Sequence, residues 1–322
     1  MAKALLRAFW GLVVLGTVGI VCCGWLYAQF TGPGPLPVST AVVIPSGTGL
    51  EGIASSLKRA GAIRHDVVFI IGARAVGKAR GLKAGEYLIP ASSSPRQIMH
   101  ILESGKTVVR RLTIPEGLTS AEVMNRLDLA EGLAGTAALP PEGSLLPETY
   151  HFSYGDLRQA LIARMQAAMV ETVSKLWEMR APDLPIRTPE EAVILASIVE
   201  RETGVPQERA LVAGVFVNRL KQGMRLQSDP TVAYGIAPEG LGRPLTRTDL
   251  KQPSPYNTYV IQGLPPTPIA NPGIDAIRAV MNPVETDYIY FVADGSGGHA
   301  FARTLKEHNR NVRAWRKIQN GG

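Results

Sequence analysis

The sequence predicts an α+β protein with three parts: a single N-terminal transmembrane helix, a small α+β module, and a larger mixed α+β domain. Three observations carry this. Ala8–Phe30 holds no charge, a weak strand–turn–helix repeat recurs between Ala41 and Leu127, and a helix with no polar face ends in two glutamates near Gly204. The parts divide as residues 1–7 (tail), 8–30 (membrane helix), 31–40 (linker), 41–153 (N-terminal module) and 154–322 (second domain).

Composition agrees with two folded bodies. The 322 residues are 45% hydrophobic and 19% charged, enough apolar material to bury cores in about two domains. Lysine and arginine number 34 against 27 acids, a net +7 that suits anionic surroundings such as lipid headgroups, cell-wall acids or nucleic acid. Cys22 and Cys23 are the only cysteines, which excludes a disulfide framework, a thiolate zinc site and a cysteine nucleophile in the folded body.

The uncharged run reads AFWGLVVLGTVGIVCCGWLYAQF, about 23 residues, long enough as a helix to cross a ~30 Å hydrocarbon layer. Phe9 and Trp10 mark one end, and Trp25, Tyr27 and Phe30 the other, where interfacial aromatics belong. Lys3 and Arg7 precede the run, and no comparable basic cluster follows until Lys58 and Arg59. The positive-inside rule then places the tail in the cytoplasm and everything after Phe30 outside. A cleaved signal peptide would have a shorter apolar region and a small-residue end; this one ends in Trp25-Leu26-Tyr27. Gly32–Pro37 then forms a semi-rigid spacer.

In the module, Ile44-Pro45, Ile89-Pro90 and Ile114-Pro115 each close a strand-like run: Ala41–Ile44, Glu86–Ile89 and Val108–Ile114. Nine residues past each isoleucine stand Ile53, Ile98 and Val123, and thirteen past stand Leu57, Leu102 and Leu127. That spacing of four is one helical step, so each unit reads as strand, turn and amphipathic helix. Ser46-Gly47-Thr48, Ser92–Pro95 and Thr119-Ser120 supply cap chemistry ahead of the helices.

Several familiar chemistries fail on inspection. Val67–Ile71 reads as a strand before Gly72-x4-Gly77-Lys78, a phosphate-loop spacing, but Ala79 replaces the hydroxyl that would ligand magnesium. Ser55-Ser-Leu-Lys58 has the Ser-x-x-Lys spacing of penicillin-binding enzymes without their partner motifs, and Leu57 is a repeat core position. The five histidines are scattered without metal spacing, and no nucleophile-elbow pattern accompanies any of them. No metal, cofactor or nucleic-acid motif is expected.

The chemistry concentrates in the second domain. Thr188-Pro189-Glu190-Glu191 starts a helix, with Thr188 as N-cap, Pro189 at the first position and Glu191 at the capping-box position. The helix runs AVILASIVERET to Gly204, apolar on every side in its middle, and so belongs in a core. Glu200 and Glu202 occupy its last turn, where the macrodipole is negative. A carboxyl there, over apolar neighbours, has a raised pKa suited to general acid work. Glu200 sits above Ala196, Val193 and Ser197, small side chains that leave room for a substrate. Glu202 lies about 200° away on the wheel, so the two cannot act from one side. Each could instead pair with Arg201, Arg209 or Arg219, the expectation preferred for Glu202.

Ile194-Leu-Ala-Ser-Ile-Val-Glu200-Arg-Glu-Thr203, Val215-Phe-Val-Asn-Arg-Leu220 and Met224–Gly235 (MRLQSDPTVAYG) form the first part of an ordered motif series. It continues through Ser254–Tyr259, Gly263–Pro266, Ile269–Gly273, Tyr290–Asp294 and Gly297–Phe301, with Glu142-Gly143 and Leu146–Tyr150 upstream. The series resembles the membrane-anchored endolytic murein transglycosylase (YceG-like) family over nearly everything after the anchor, with Glu148 where the family would have Asp. The layout of an anchor followed by a LysM-like module is also similar to that family's.

The resemblance implies that 154–322 is a catalytic domain that cleaves peptidoglycan glycan strands between N-acetylmuramic acid and N-acetylglucosamine, leaving 1,6-anhydro ends. The family's catalytic glutamate falls on Glu200, which the helix argument also prefers. Gln227, Asp229, Thr231, Tyr234, Tyr256, Asn257 and Thr258, polar or aromatic groups in Pro-punctuated loops, are the candidates for binding the sugar, with turn and capping chemistry as the competing role. The implied setting is the bacterial cytoplasmic membrane, with cell-wall synthases or division machinery as partners. Two other functions stay open: a muramidase on the same fold, in which water replaces the sugar's own 6-hydroxyl, and a non-catalytic wall-binding or division scaffold.

Overall fold

The computed structural model describes residues 2–321, which divide into two compact units. The first holds the chain up to Arg110 together with Gly132–Ala134 and His151–Asp156; the second holds Arg111–Glu131, Gly135–Tyr150 and the chain from Leu157. The boundary passes through two strands, β3 (Val109–Thr113) and β4 (Thr149–Ser153), which pair with each other.

The first unit begins with α1 (Ala2–Thr31), in which Leu5–Thr31 is long and apolar enough to cross a membrane. This one N-terminal apolar helix fits a single-pass anchor. Its distal end is not free: Phe30 is buried in the unit's core and Leu26 packs against it. β1 (Thr40–Ile44) pairs antiparallel with β2 (Gly85–Ile89), Val42 opposite Tyr87. Between them run α2 (Leu50–Arg59) and α3 (Asp66–Ala75), and α4 (Pro95–Ser104) follows. Ile53, Leu57, Ile98 and Leu102, the repeat positions, are all in this core with Phe69 and Tyr87. α4 shows why it starts and stops: Ser94 and Gln97 make a reciprocal capping box, Pro95 takes the first position, and Gly105 closes the end with a left-handed φ of 69°.

One expectation fails here. Val67–Ile71 is not a strand but the first half of α3, and Gly72 lies inside that helix. Glycine is needed because a Cβ at Gly72 would stand 2.3 Å from the Phe30 ring. Tertiary packing of an apolar run decided between strand and helix, which periodicity alone does not separate.

The second unit contains the third repeat, α5 (Ser120–Leu129), again started by a capping box, Thr119 with Glu122. Its buried Val123 and Leu127 therefore serve a different body from the first two repeats. The rest is helical: α6 (Arg158–Glu178), α7 (Pro189–Glu202), α8 (Arg209–Lys221), α9 (Asp229–Ile236) and α10 (Ile274–Met281). A hairpin of β5 (Tyr290–Ala293) and β6 (His299–Ala302) precedes α11 (Leu305–Gly321). Every α7 residue from Ala192 to Val199 is buried, packed by α6, α8, α9 and α10. Thr188 caps α7 by accepting from the Glu191 amide at 3.2 Å; the Glu191 carboxylate accepts from the Arg187 amide at 2.6 Å rather than closing the box.

Candidate active site

Glu200 is placed by the end of its own helix and the start of another. The Gly273 amide, at the N-cap of α10, donates to Glu200 Oε2 at 2.9 Å. A helix N-terminus favours negative charge, whereas the C-terminal turn of α7 opposes it. Arg209, the first residue of α8, reaches Glu200 Oε1 at 3.6 Å, Glu116 at 3.6 Å and Asp275 at 3.7 Å, each beyond direct hydrogen-bond length. Its Nε is buried without a partner among the described residues. Three carboxylates thus share one guanidinium. Burial pushes the Glu200 carboxyl above its ordinary value, and Glu116 and Asp275 add to the rise, against the Gly273 amide and Arg209. The Glu200 side chain is 6% exposed and that of Arg209 10%, whereas Glu116 is 40% and Asp275 53% exposed, so solvent reaches the cluster from their side.

Glu116 arrives from far away in sequence. The turn Glu116-Gly117 is clamped to Asn271 by paired amide bonds, Gly117 N to Asn271 O at 3.0 Å and Asn271 N to Leu118 O at 2.8 Å. Gly117 adopts a φ of 77°, which glycine permits without cost. Buried Asn271 also accepts from the Leu145 amide and donates toward Ser120 and Glu142. One buried amide side chain therefore ties two separate segments, 118–120 and 142–145, to the one that carries Gly273.

The face above Ala196, Val193 and Ser197 is not the open space expected of it. Ser197 accepts from the Ile269 amide at 3.0 Å, and Val193 and Pro268 both lie against Gly143. Small residues there admit the 268–271 segment, which carries Asn271 and leads to Gly273. The members of the cluster that solvent reaches are Glu116 and Asp275.

Glu202 points elsewhere. It accepts from the Ser228 hydroxyl at 2.5 Å, and burial pushes its pKa up to about 7. No ion pair within 4 Å joins it to Arg201, Arg209 or Arg219 among the described residues; a serine, not an arginine, is its direct partner. The sequence-chosen residues gather around it and around Glu142 rather than around Glu200. Asp229 accepts from the Tyr259 hydroxyl at 2.6 Å and adds to the rise at Glu202. Thr231 and Thr258 are fully buried and hydrogen-bonded to each other at 2.8 Å, with Thr258 accepting from the Ser228 amide. Asn257 is buried and spends its amide on the carbonyls of Asp249, Leu250 and Gln252. Gln227 is exposed, with a left-handed φ of 51°. Tyr234 donates to Glu142 at 3.2 Å and meets the Tyr256 ring edge-on at 5.1 Å. Burial raises Glu142 as well. No hydrogen bond or ion pair joins any of the seven to Glu200 among the described residues.

Sequence reading missed Glu116, Asp275 and the Gly273 amide, and weighed Arg209 only as a pairing partner. Nothing local to Glu116 signals a role.

The family model described as YceG-like matches residues 42–314. The chain is 34% identical over 304 residues to an endolytic murein transglycosylase of Bacillus subtilis, covering 83% of this chain and 82% of that one. It is 30% identical over 319 residues to an endolytic murein transglycosylase of Streptococcus pneumoniae, covering 84% of this chain. It spans 57% of the length of that pneumococcal relative. A yceG-like protein of Listeria monocytogenes, solved by crystallography, superposes with a TM-score of 0.54 at 29% identity over 84% of this chain and 98% of that one. The chain belongs to the YceG-like family.

Proposed function

We propose that this protein is an endolytic murein transglycosylase that cuts peptidoglycan glycan strands internally between N-acetylmuramic acid and N-acetylglucosamine. The observation that carries the reading is Glu200: a largely buried carboxyl with a raised pKa, held by a helix-start amide and flanked by half-exposed acids on the solvent side. Such a group is protonated further toward neutral pH than an ordinary glutamate, as a general acid must be. The Bacillus and Streptococcus relatives, both endolytic murein transglycosylases, support the same chemistry.

In the proposed reaction Glu200 gives its proton to the bridging oxygen as the C1–O bond breaks. The carboxylate then takes the proton of the muramoyl 6-hydroxyl as that oxygen bonds to C1. The acid is regenerated, no water is consumed, and a 1,6-anhydro end results. One carboxyl serves as acid and then base.

Glu116 gives the muramidase reading a specific footing. Its Oε2 and Glu200 Oε1 both lie 3.6 Å from one Arg209 nitrogen, so they are no more than twice that distance apart. Hydrolytic glycosidases use carboxyl pairs at ~5–5.5 Å or ~6.5–9.5 Å. Digestion of purified glycan strands by the full chain in detergent, with product masses read, separates the two. Anhydro ends lacking one water are expected; reducing ends alone would replace lyase by hydrolase, and no cleavage would leave a wall-binding scaffold. Glu200→Gln should lower turnover by roughly 10²–10⁴-fold with the fold unchanged, the usual loss for a general acid.

The proposal extends to setting. It places residues 1–7 in the bacterial cytoplasm, α1 in the cytoplasmic membrane and the rest outside, with membrane-bound wall synthases or division machinery as suppliers of strands. Gln227, Asp229, Tyr234 and Tyr256 remain the sugar-facing candidates, and Thr231, Asn257 and Thr258 hold the loops beneath them. The strand–helix–helix–strand order of the first unit supports its proposed LysM-like, wall-binding role.

A further inference from the structure

The helix α3 is apolar on both sides. Val68, Phe69 and Ala73 are buried in the first unit's core, yet Val67 and Ile71 on the opposite side, and Val76 just past its end, are exposed. Exposed apolar side chains gathered on one side of a helix mark a face that meets an apolar partner or medium; the same side also carries Arg74, which pairs with Glu51. α3 packs directly on the distal end of α1, with Gly72 against the Phe30 ring. Between the two helices lies a cleft of about 370 Å³ lined by Cys23, Tyr27, Ile71, Val76 and Arg96.

Depth fixes what can fill that cleft. A hydrocarbon layer takes ~20 helical residues, and counted from Ala8 these end at about Tyr27. Cys23 and Tyr27 therefore stand within or at the edge of the hydrocarbon, and the α3 residues sharing their cleft stand at the same level. Arg96, which has no ion pair among the described residues, lies at that cleft as a cation at headgroup depth. α1 is exposed and apolar around this level (Val18, Val21, Trp25, Tyr27), and Ile71 and Val76 share the cleft with its Cys23 and Tyr27.

We infer that the first unit docks on the membrane through α3, with outer-leaflet acyl chains in the α1–α3 cleft and an anionic phospholipid headgroup at Arg96. The unit is thereby held at the bilayer surface and not merely tethered by α1. This rests on the proposed reading of α1 as a membrane anchor.

The test uses the full chain with Cys22 and Cys23 changed to serine, reconstituted in nanodiscs containing phosphatidylglycerol. Single spin labels go at Ile20→Cys on α1, Ile71→Cys on α3 and Leu88→Cys on the exposed side of β2, all exposed positions that tolerate a label. Collision with oxygen against a water-soluble nickel chelate reports depth. A several-fold higher oxygen-to-nickel ratio at positions 20 and 71 than at 88 is expected, and it should fall at 71 when Arg96→Glu is added. Lipid at 20 with water at 71 overturns the docking and leaves the anchor standing. Water at both overturns anchor and docking together. Nickel exclusion at 71 with spin–spin broadening would mean that a second copy covers α3, which also overturns it.

Discussion

Replacing Glu202 by glutamine removes a charge that the fold holds at a cost. Burial is the largest cause of its high pKa, opposed by the Ser228 hydroxyl, raised further by Asp229 and lowered by His299 and Arg219. The move from an ordinary 4.5 to about 7 corresponds to about 3 kcal/mol. The sign follows from proton counts. Between those two pH values the unfolded chain has lost the proton and the folded chain keeps it, so stability falls as pH rises and the loss is complete above about 7. Glutamine can still accept from Ser228 but never ionises. Thermal unfolding of the full chain in detergent should give similar midpoints for wild type and Glu202→Gln near pH 5. Near pH 8 the variant should unfold about 6–12 °C higher, on a conversion of roughly 2–4 °C per kcal/mol for a body of this size. A difference that stays flat with pH refutes the buried-acid account. A variant less stable at pH 8 would mean that Glu202 is held ionised by Arg219 or His299.

The Glu200 cluster makes two further predictions. Gly273 has an ordinary φ of −74°, so Gly273→Ala strains no backbone, but the new Cβ would stand 1.8 Å from Glu116 Oε1 and must push that carboxylate away. Melting should barely change, because a flexible side chain moves, while glycan cleavage should fall several-fold; unchanged cleavage would remove Glu116 from the site. Arg209→Met takes away the cation that lowers the Glu200 pKa, leaving Glu116 and Asp275 to raise it. Activity that needs the protonated acid is lost as pH rises through that pKa, so the alkaline limb of kcat/KM should move to higher pH. A limb that stays in place, in a folded variant, would show that Arg209 does not act on Glu200.

Much of the framework was legible because it depends on neighbours in sequence. The repeat positions Ile53, Leu57, Ile98, Leu102, Val123 and Leu127 are buried as their spacing predicts, and the caps at Ser94, Thr119 and Thr188 start the helices they should. α3 was misread because Val-Val-Phe-Ile-Ile is too short and too uniformly apolar for its period to choose between strand and helix. The seven loop residues were picked by type, and type does not reveal whether a threonine faces a ligand or, like Thr231 and Thr258, another threonine beneath the surface.

By itself the sequence determined where helices begin, which of their faces are apolar, and that two glutamates end a buried helix, since each is set by intervals of three or four residues. Only the tertiary structure decided what those glutamates meet. Gly273 and Glu116 lie 73 and 84 residues from Glu200, and Ser228 lies 26 from Glu202. Contacts at such separations arise from packing and from buried bridges such as Asn271, which leave no period in the chain.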